Sequence, residues 1–227
     1  SYSEIPELTI VVPTFNEKDN IRPLVTLLDQ ALADIRWEVV FVDDDSPDQT
    51  AKEVRALGRE RSDVRVIHRI GRRGLAGACI EGILSSVAPI VAVMDADLQH
   101  DESRLPVMLQ HLQDDPELDL VIASRNVEDG SAGSGLSAMR KKGSDLATSM
   151  ARRALKITAT DPMSGFFMVR RSSFNAVVLD LQKQGFKILA DMLSASRGQW
   201  KVREIGFTFR ERQHGISKMD SAVTLLP

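Results

Sequence analysis

With one cysteine, Cys79, the 227-residue chain cannot form an intramolecular disulfide, which fits a reducing compartment. Set among Ala76, Gly77, Ala78 and Ile80, that cysteine reads as a small packed residue rather than a nucleophile. No run approaches the roughly 20 apolar residues that cross a bilayer, and the N-terminus lacks the charged and apolar regions of a signal peptide. A net charge of -3 supplies no global basic field, which argues against a nucleic-acid partner. Basic residues gather only locally, at Arg69–Arg73, Arg140–Lys142 and Arg152–Lys156, and such clusters read first as solvated surface. His68, His100 and His111 lack the spacing of zinc ligands and read as packing or surface groups. No internal repeat or low-complexity segment is present. The last six residues, from Ala222 to Pro227, are mostly apolar, compatible with a natural end or with a membrane segment beyond residue 227.

What the chain does have is 43% hydrophobic and 27% charged residues, ordinary for a globular protein, and length enough for one α/β domain over residues 1–227. Apolar, β-branched runs predict strands at Leu8–Pro13, Trp37–Val42, Val64–His68, Pro89–Met94, Leu118–Ser124, Phe166–Val169 and Gln199–Phe209. Helices are expected from Asn16 through Leu32 and over Asp48–Arg61, Gly74–Ser86, Ser103–Gln113, Ala138–Leu155, Phe174–Leu181 and Ile188–Ser196. Asn126–Ser137, rich in Gly, Ser and Asp, reads as a loop. Strands alternating with helices predict a mostly parallel sheet wound with helices on both sides.

In such a sheet, ligands collect at the carboxyl ends of the strands. Three polar clusters fall at such ends: Pro13-Thr14-Phe15-Asn16-Glu17, Asp43-Asp44-Asp45-Ser46 and Asp95-Ala96-Asp97-Leu98-Gln99-His100. Any one of them could be a helix cap, with Asp45 or Ser46 capping the next helix. Three at one edge are harder to explain that way. Asp95 and Asp97 leave an extended chain on the same side, so their oxygens can share one Mg²⁺ or Mn²⁺, and Gln99 can reach the same face. Such an ion would neutralise charge on a departing diphosphate. Aspartyl phosphotransferases also use Asp-x-Asp after a strand, but normally after the first strand and without a glutamine in the place of Gln99.

Together with Val11-Val12-Pro13, Pro47-Asp48-Gln49-Thr50 and Arg73-Gly74-Leu75, these clusters resemble the family-2 inverting glycosyltransferases of the GT-A fold, a Rossmann-like nucleotide-binding fold. Ile122-Ala123-Ser124-Arg125, Asp161-Pro162-Met163-Ser164-Gly165-Phe166-Phe167, Gly185-Phe186-Lys187-Ile188-Leu189 and the set Arg212, Gly215, Ser217, Lys218 are similar to the dolichol- or polyprenyl-phosphate mannose synthases within that family. The resemblance covers residues 8–218. It implies that Pro13, Phe15 and Glu17 contact the nucleoside, that Asp44, supported by Asp43, meets the base or ribose, and that Asp95, Asp97 and Gln99 hold the metal. It further implies that Arg125, Arg140 and Ser144 bind the acceptor phosphate, and that Lys187, Arg212 and Lys218 close over the donor diphosphate or acceptor. Asp97, Arg125 and Arg140 are then the residues on which turnover depends. Departures are Phe15 where the family often has Tyr, Gln49 and Ala76 where it often has Gly, and His214 where it often has Tyr or Arg.

The implied reaction carries a hexose, mannose from GDP-mannose, to a dolichyl or polyprenyl monophosphate, with UDP-glucose as the nearest alternative donor. A phosphate acceptor is already anionic and needs no general base, and arginines fork onto its oxygens. A protein or polysaccharide hydroxyl acceptor would instead need a carboxylate base, for which Asp161 is the one candidate, although it also reads as a turn residue before Pro162. A sugar-nucleotide-binding module without turnover would need neither the metal set nor the acceptor arginines. The basic, amphipathic Ala138–Leu155 segment suits a membrane surface as well as a core helix. The expected location is the cytoplasmic face of a membrane, peripheral or anchored by a segment absent from this chain.

Overall fold

The computed structural model describes residues 5–125, 159–181 and 188–211. Seven strands, β1 (Leu8–Thr14), β2 (Trp37–Asp43), β3 (Val64–His68), β4 (Ile90–Val93), β5 (Leu120–Ser124), β6 (Phe167–Arg170) and β7 (Val202–Gly206), form one sheet in the order β3-β2-β1-β4-β6-β5-β7. Helices α1 (Ile21–Ala31), α2 (Thr50–Glu60), α3 (Leu75–Ser85), α4 (Arg104–Asp114), α5 (Arg171–Val177) and α6 (Ile188–Ala195) flank it.

β1, β4 and β5 are buried at every position because both faces of the sheet are covered there. Leu8, Ile10 and Val12 of β1 face a core that includes Leu24, Leu28, Val54 and Met108 from α1, α2 and α4. Val11, one residue out of phase, faces a second core with Cys79, Ile83, Phe174 and Met192 from α3, α5 and α6. Cys79 is thus buried, in a helix whose small residues allow close approach: a β-carbon added to Gly82 would lie 2.3 Å from Val11 Cγ1 and 3.0 Å from Val42 Cγ2.

The sheet departs from a uniformly parallel winding at β6, which runs antiparallel to both β4 and β5. The chain reverses into it through a turn closed by Ser164 N–H donating to Asp161 C=O (3.2 Å). Element ends shift for local reasons. A 3-10 turn at Lys18–Asn20 precedes α1, and α5 ends at Val177 in a further 3-10 turn, Val178–Asp180. β7 stops at Gly206 because Phe207–Arg210 leaves the sheet to pack on the loop after β4. The N-cap position of α2 is Gln49, not Asp45 or Ser46, and Asp48 Oδ1 just ahead of it accepts from Thr50 N–H at 2.9 Å. The expected loop 126–137 and helix 138–155 lie outside the described residues.

The register sets the site. Thr14 pairs with Asp43 and Val11 with Val93, so the parallel strands β1, β2 and β4 deliver their following loops to one edge.

Candidate active site

At the ends of β1 and β2 the buried Asp43 organises two loops. Its Oδ1 accepts from Thr14 Oγ1 (2.9 Å) and Ser46 Oγ (2.6 Å), and its Oδ2 from Ser46 N–H (3.0 Å). Ser46 Oγ in turn accepts from Asn16 N–H at 2.9 Å. Glu17 is buried, donating its N–H to Thr50 Oγ1 (3.1 Å) and accepting from Asn20 Nδ2 (2.7 Å). Gln49 adopts φ 66, the left-handed region in which a side chain costs about 1–2 kcal/mol and glycine does not. The resemblance expects glycine there for that reason.

Asp44 has both oxygens engaged: Oδ1 accepts from Arg69 Nη1 at 2.7 Å and Oδ2 from Gly74 N–H at 2.9 Å. Burial pushes its pKa up, while the Gly74 hydrogen bond and the Arg69 charge pull it down. Arg69 is itself buried, so the surface reading of the Arg69–Arg73 cluster fails for its first member. Arg73 carries its guanidinium 5.4 Å from the centre of the Phe15 ring, at the mouth of the same loops.

Past β4, Asp95 and Asp97 stand on a tight loop. Asp97 Oδ1 accepts from Gln99 N–H (3.1 Å) across Leu98, which takes φ 65. Gln99 donates Nε2–H to Arg210 C=O (3.1 Å) while Arg210 N–H donates to Gln99 C=O (3.0 Å). Arg210 also clamps Glu102 (2.6 Å) and Asp101 (3.2 Å). Asp95 borders a cavity of about 140 Å³ walled by Pro13, Leu75, Cys79, Met163 and Leu189. Among the described residues, no group of three or more His, Cys, Asp or Glu is gathered for an ion. Two carboxylates and an amide are a hard-oxygen donor set that suits Mg²⁺ or Mn²⁺, with water and phosphate completing the shell.

Arg125, exposed at the end of β5, lies 4.6 Å from the centre of the Phe209 ring. Asp161 is buried beside it, hydrogen-bonded to the backbone of Arg125 and Met163. Burial pushes the Asp161 pKa up, opposed chiefly by the Arg125 charge. The structure therefore brings Pro13, Phe15, Glu17, Asp43, Asp44, Asp95, Asp97, Gln99 and Arg125 to the carboxyl edge of the parallel strands and the neighbouring end of β5. Arg140, Ser144, Lys187, Arg212 and Lys218 lie outside the described residues. Sequence reasoning missed Arg69, His100, Phe209 and Arg210. Arg69 could have been flagged, since it directly follows β3 at the same edge.

A family model, Glycosyl transferase family 2, matches residues 9–178. The dolichol-phosphate mannosyltransferase of Pyrococcus furiosus is 36% identical over 94% of this chain, which spans 59% of that protein. That of Mycosarcoma maydis is 35% identical over 98% of this chain and 77% of its own length. Among solved structures, glucosyl-3-phosphoglycerate synthase from Mycobacterium tuberculosis, in complex with Mn²⁺, uridine diphosphate and phosphoglyceric acid, superposes with a TM-score of 0.70 at 18% identity, covering 96% of this chain and 74% of that one. At that identity the likeness is one of fold, here the GT-A fold. With this fold, and with a family match across most of its described strands, the chain belongs to glycosyl transferase family 2.

Proposed function

We propose that the chain transfers a hexose, mannose from GDP-mannose, with inversion onto a dolichyl or polyprenyl monophosphate. The observation that carries this reading is the Asp95–Asp97 loop lying at the edge that also bears the β1 and β2 loops, with Arg125 at the neighbouring end of β5. The dolichol-phosphate mannosyltransferase relatives support the choice of sugar and acceptor.

In this reading Pro13, Phe15, Glu17 and Asp44 receive the nucleoside, on loops that Asp43 holds together. Asp95, Asp97 and Gln99 would hold Mg²⁺ or Mn²⁺, which would supply positive charge against the departing diphosphate. Arg125 forks onto the acceptor phosphate, and its seat on Phe209 limits the orientations it can take. An acceptor phosphate oxygen attacks the anomeric carbon from the face opposite the leaving group. The bond from that carbon to the diphosphate oxygen breaks, its electron pair departs with the nucleoside diphosphate, and no proton has to move. Arg140 and Ser144 assist at the acceptor, and Lys187, Arg212 and Lys218 at the diphosphate or acceptor. Among the described residues no helix is long and apolar enough to cross a membrane. The proposed setting is the cytoplasmic membrane surface, where a polyprenyl acceptor presents its phosphate.

The test is to incubate the chain and Mn²⁺ or Mg²⁺ with labelled GDP-mannose, UDP-glucose or UDP-GlcNAc, each with a polyprenyl phosphate, and extract lipid-linked sugar. Label in the lipid from GDP-mannose is expected, and no lipid product from any donor overturns the reading. Asp97→Ala should lower turnover at least ~10²-fold while circular dichroism stays that of the parent. Unchanged turnover would remove Asp97 from the metal set.

A further inference from the structure

Of the two readings the sequence allows for His100, packing or surface, the structure shows the first: it is buried, beside Asp95. Asp95 N–H donates to His100 Nδ1 at 3.0 Å. A backbone amide can only donate, so Nδ1 is the bare nitrogen of a neutral ring and the ring proton sits on Nε2. Nε2 lies 3.9 Å from Asp95 Oδ2, beyond hydrogen-bond length. The ring cannot readily turn away. Phe166 stacks on it (centroids 5.0 Å, planes 21° apart), Phe207 meets it edge-on at 5.5 Å, and Phe209 lies tilted at 5.5 Å. Gly165 flanks both groups: a methyl there would touch Asp95 Oδ2 and His100 Cε1, each at 3.6 Å.

We infer that His100 is a positioning residue for the cation site, fixing the backbone of Asp95 from behind while the Phe207–Arg210 segment holds the imidazole in place. The inference rests on the metal-binding reading of Asp95 and Asp97. A carboxylate carried on a fixed backbone has less freedom to lose on meeting a cation than one on an unsupported loop. The aromatic wall brings a second consequence. Phe209 touches both His100 and the Arg125 guanidinium, so the proposed acceptor arginine and the proposed metal carboxylate rest on one packed unit.

The variant His100→Phe keeps a ring for the aromatic wall and deletes the acceptor. His100→Asn shrinks the ring but returns an oxygen near the place of Nδ1. GDP binding to each folded protein is measured by calorimetry, with and without Mn²⁺. For His100→Phe, the Mn²⁺-dependent gain in GDP affinity should fall about 10–100-fold while metal-free GDP affinity holds. His100→Asn should recover part of that gain even if it melts at a lower temperature. If the parent protein binds GDP no better with Mn²⁺, the metal reading fails and this inference fails with it. If the parent shows the gain and His100→Phe retains it, the role of His100 alone is overturned. That role is equally overturned if both variants lose the gain only in proportion to a lower melting temperature, which is what plain packing predicts.

Discussion

Asp161 keeps its carboxyl out of water in the turn before β6, and that burial, more than the Arg125 charge opposing it, sets the direction of its pKa. Its folded value lies above its unfolded one, so the native state retains a proton over a pH range in which the unfolded chain has released it. The stability this contributes is full below the unfolded value and is lost as pH rises through the folded value. Asp161→Asn should remove that slope: urea unfolding free energies from about pH 4 to about pH 7 should fall less in the variant than in the parent. An identical pH profile would mean that the carboxyl stays solvated. Asp95 and Asp97 were legible in the sequence because two carboxylates ending an apolar run need no tertiary information to be noticed. Arg69 and His100 were not. Arg69 acquires its role from Asp44, 25 residues earlier, and His100 from rings that reach it from just before β6 and from just beyond β7.

At the scale of elements, the close contact between α3 and the sheet rests on an absent side chain. Gly82→Ala would drive a methyl group into Val11 and Val42, and should cost about 1–3 kcal/mol in chemical denaturation through overpacking. A cost below about 0.5 kcal/mol would mean that the helix shifts to make room. The same C-terminal end of that helix is held by Arg171 at the start of α5, whose guanidinium donates to the carbonyls of Ile83, Ser86 and Ala88. Strand and helix identities were readable from period-2 and period-3.6 patterns because each element presents an apolar face. Boundaries were less so. β7 was expected to run to Phe209, since Phe207 and Phe209 are as suited to a strand as to the aromatic wall they build, and only the partners at Gln99 and His100 decide between the two.

For the molecule as a whole, alternation of strand and helix was enough to give the α/β class, but not the sheet order. Nothing in Phe167–Arg170 states that it pairs antiparallel with both β4 and β5. That wedge bears on how the chain acquires its fold. Pairings among β1, β2 and β3 join segments linked by single helical crossovers, so their loops close at modest entropic cost. Among the described residues β5 and β7, in contrast, are joined to the rest of the sheet only through β6, which must be synthesised and inserted long after β4. The parallel half should therefore condense first, with Asp43 and its loops in place, while the aromatic wall behind Asp95 waits for β6. Pulse-labelled hydrogen exchange during refolding should show amides of β1 and β2 protected before those of β5 and β6; simultaneous protection would mean a single cooperative step. A newly made chain would thus have the frame of the proposed nucleotide pocket before it can hold Asp95 in place, so the proposed nucleotide and cation sites would become competent at different moments of its birth.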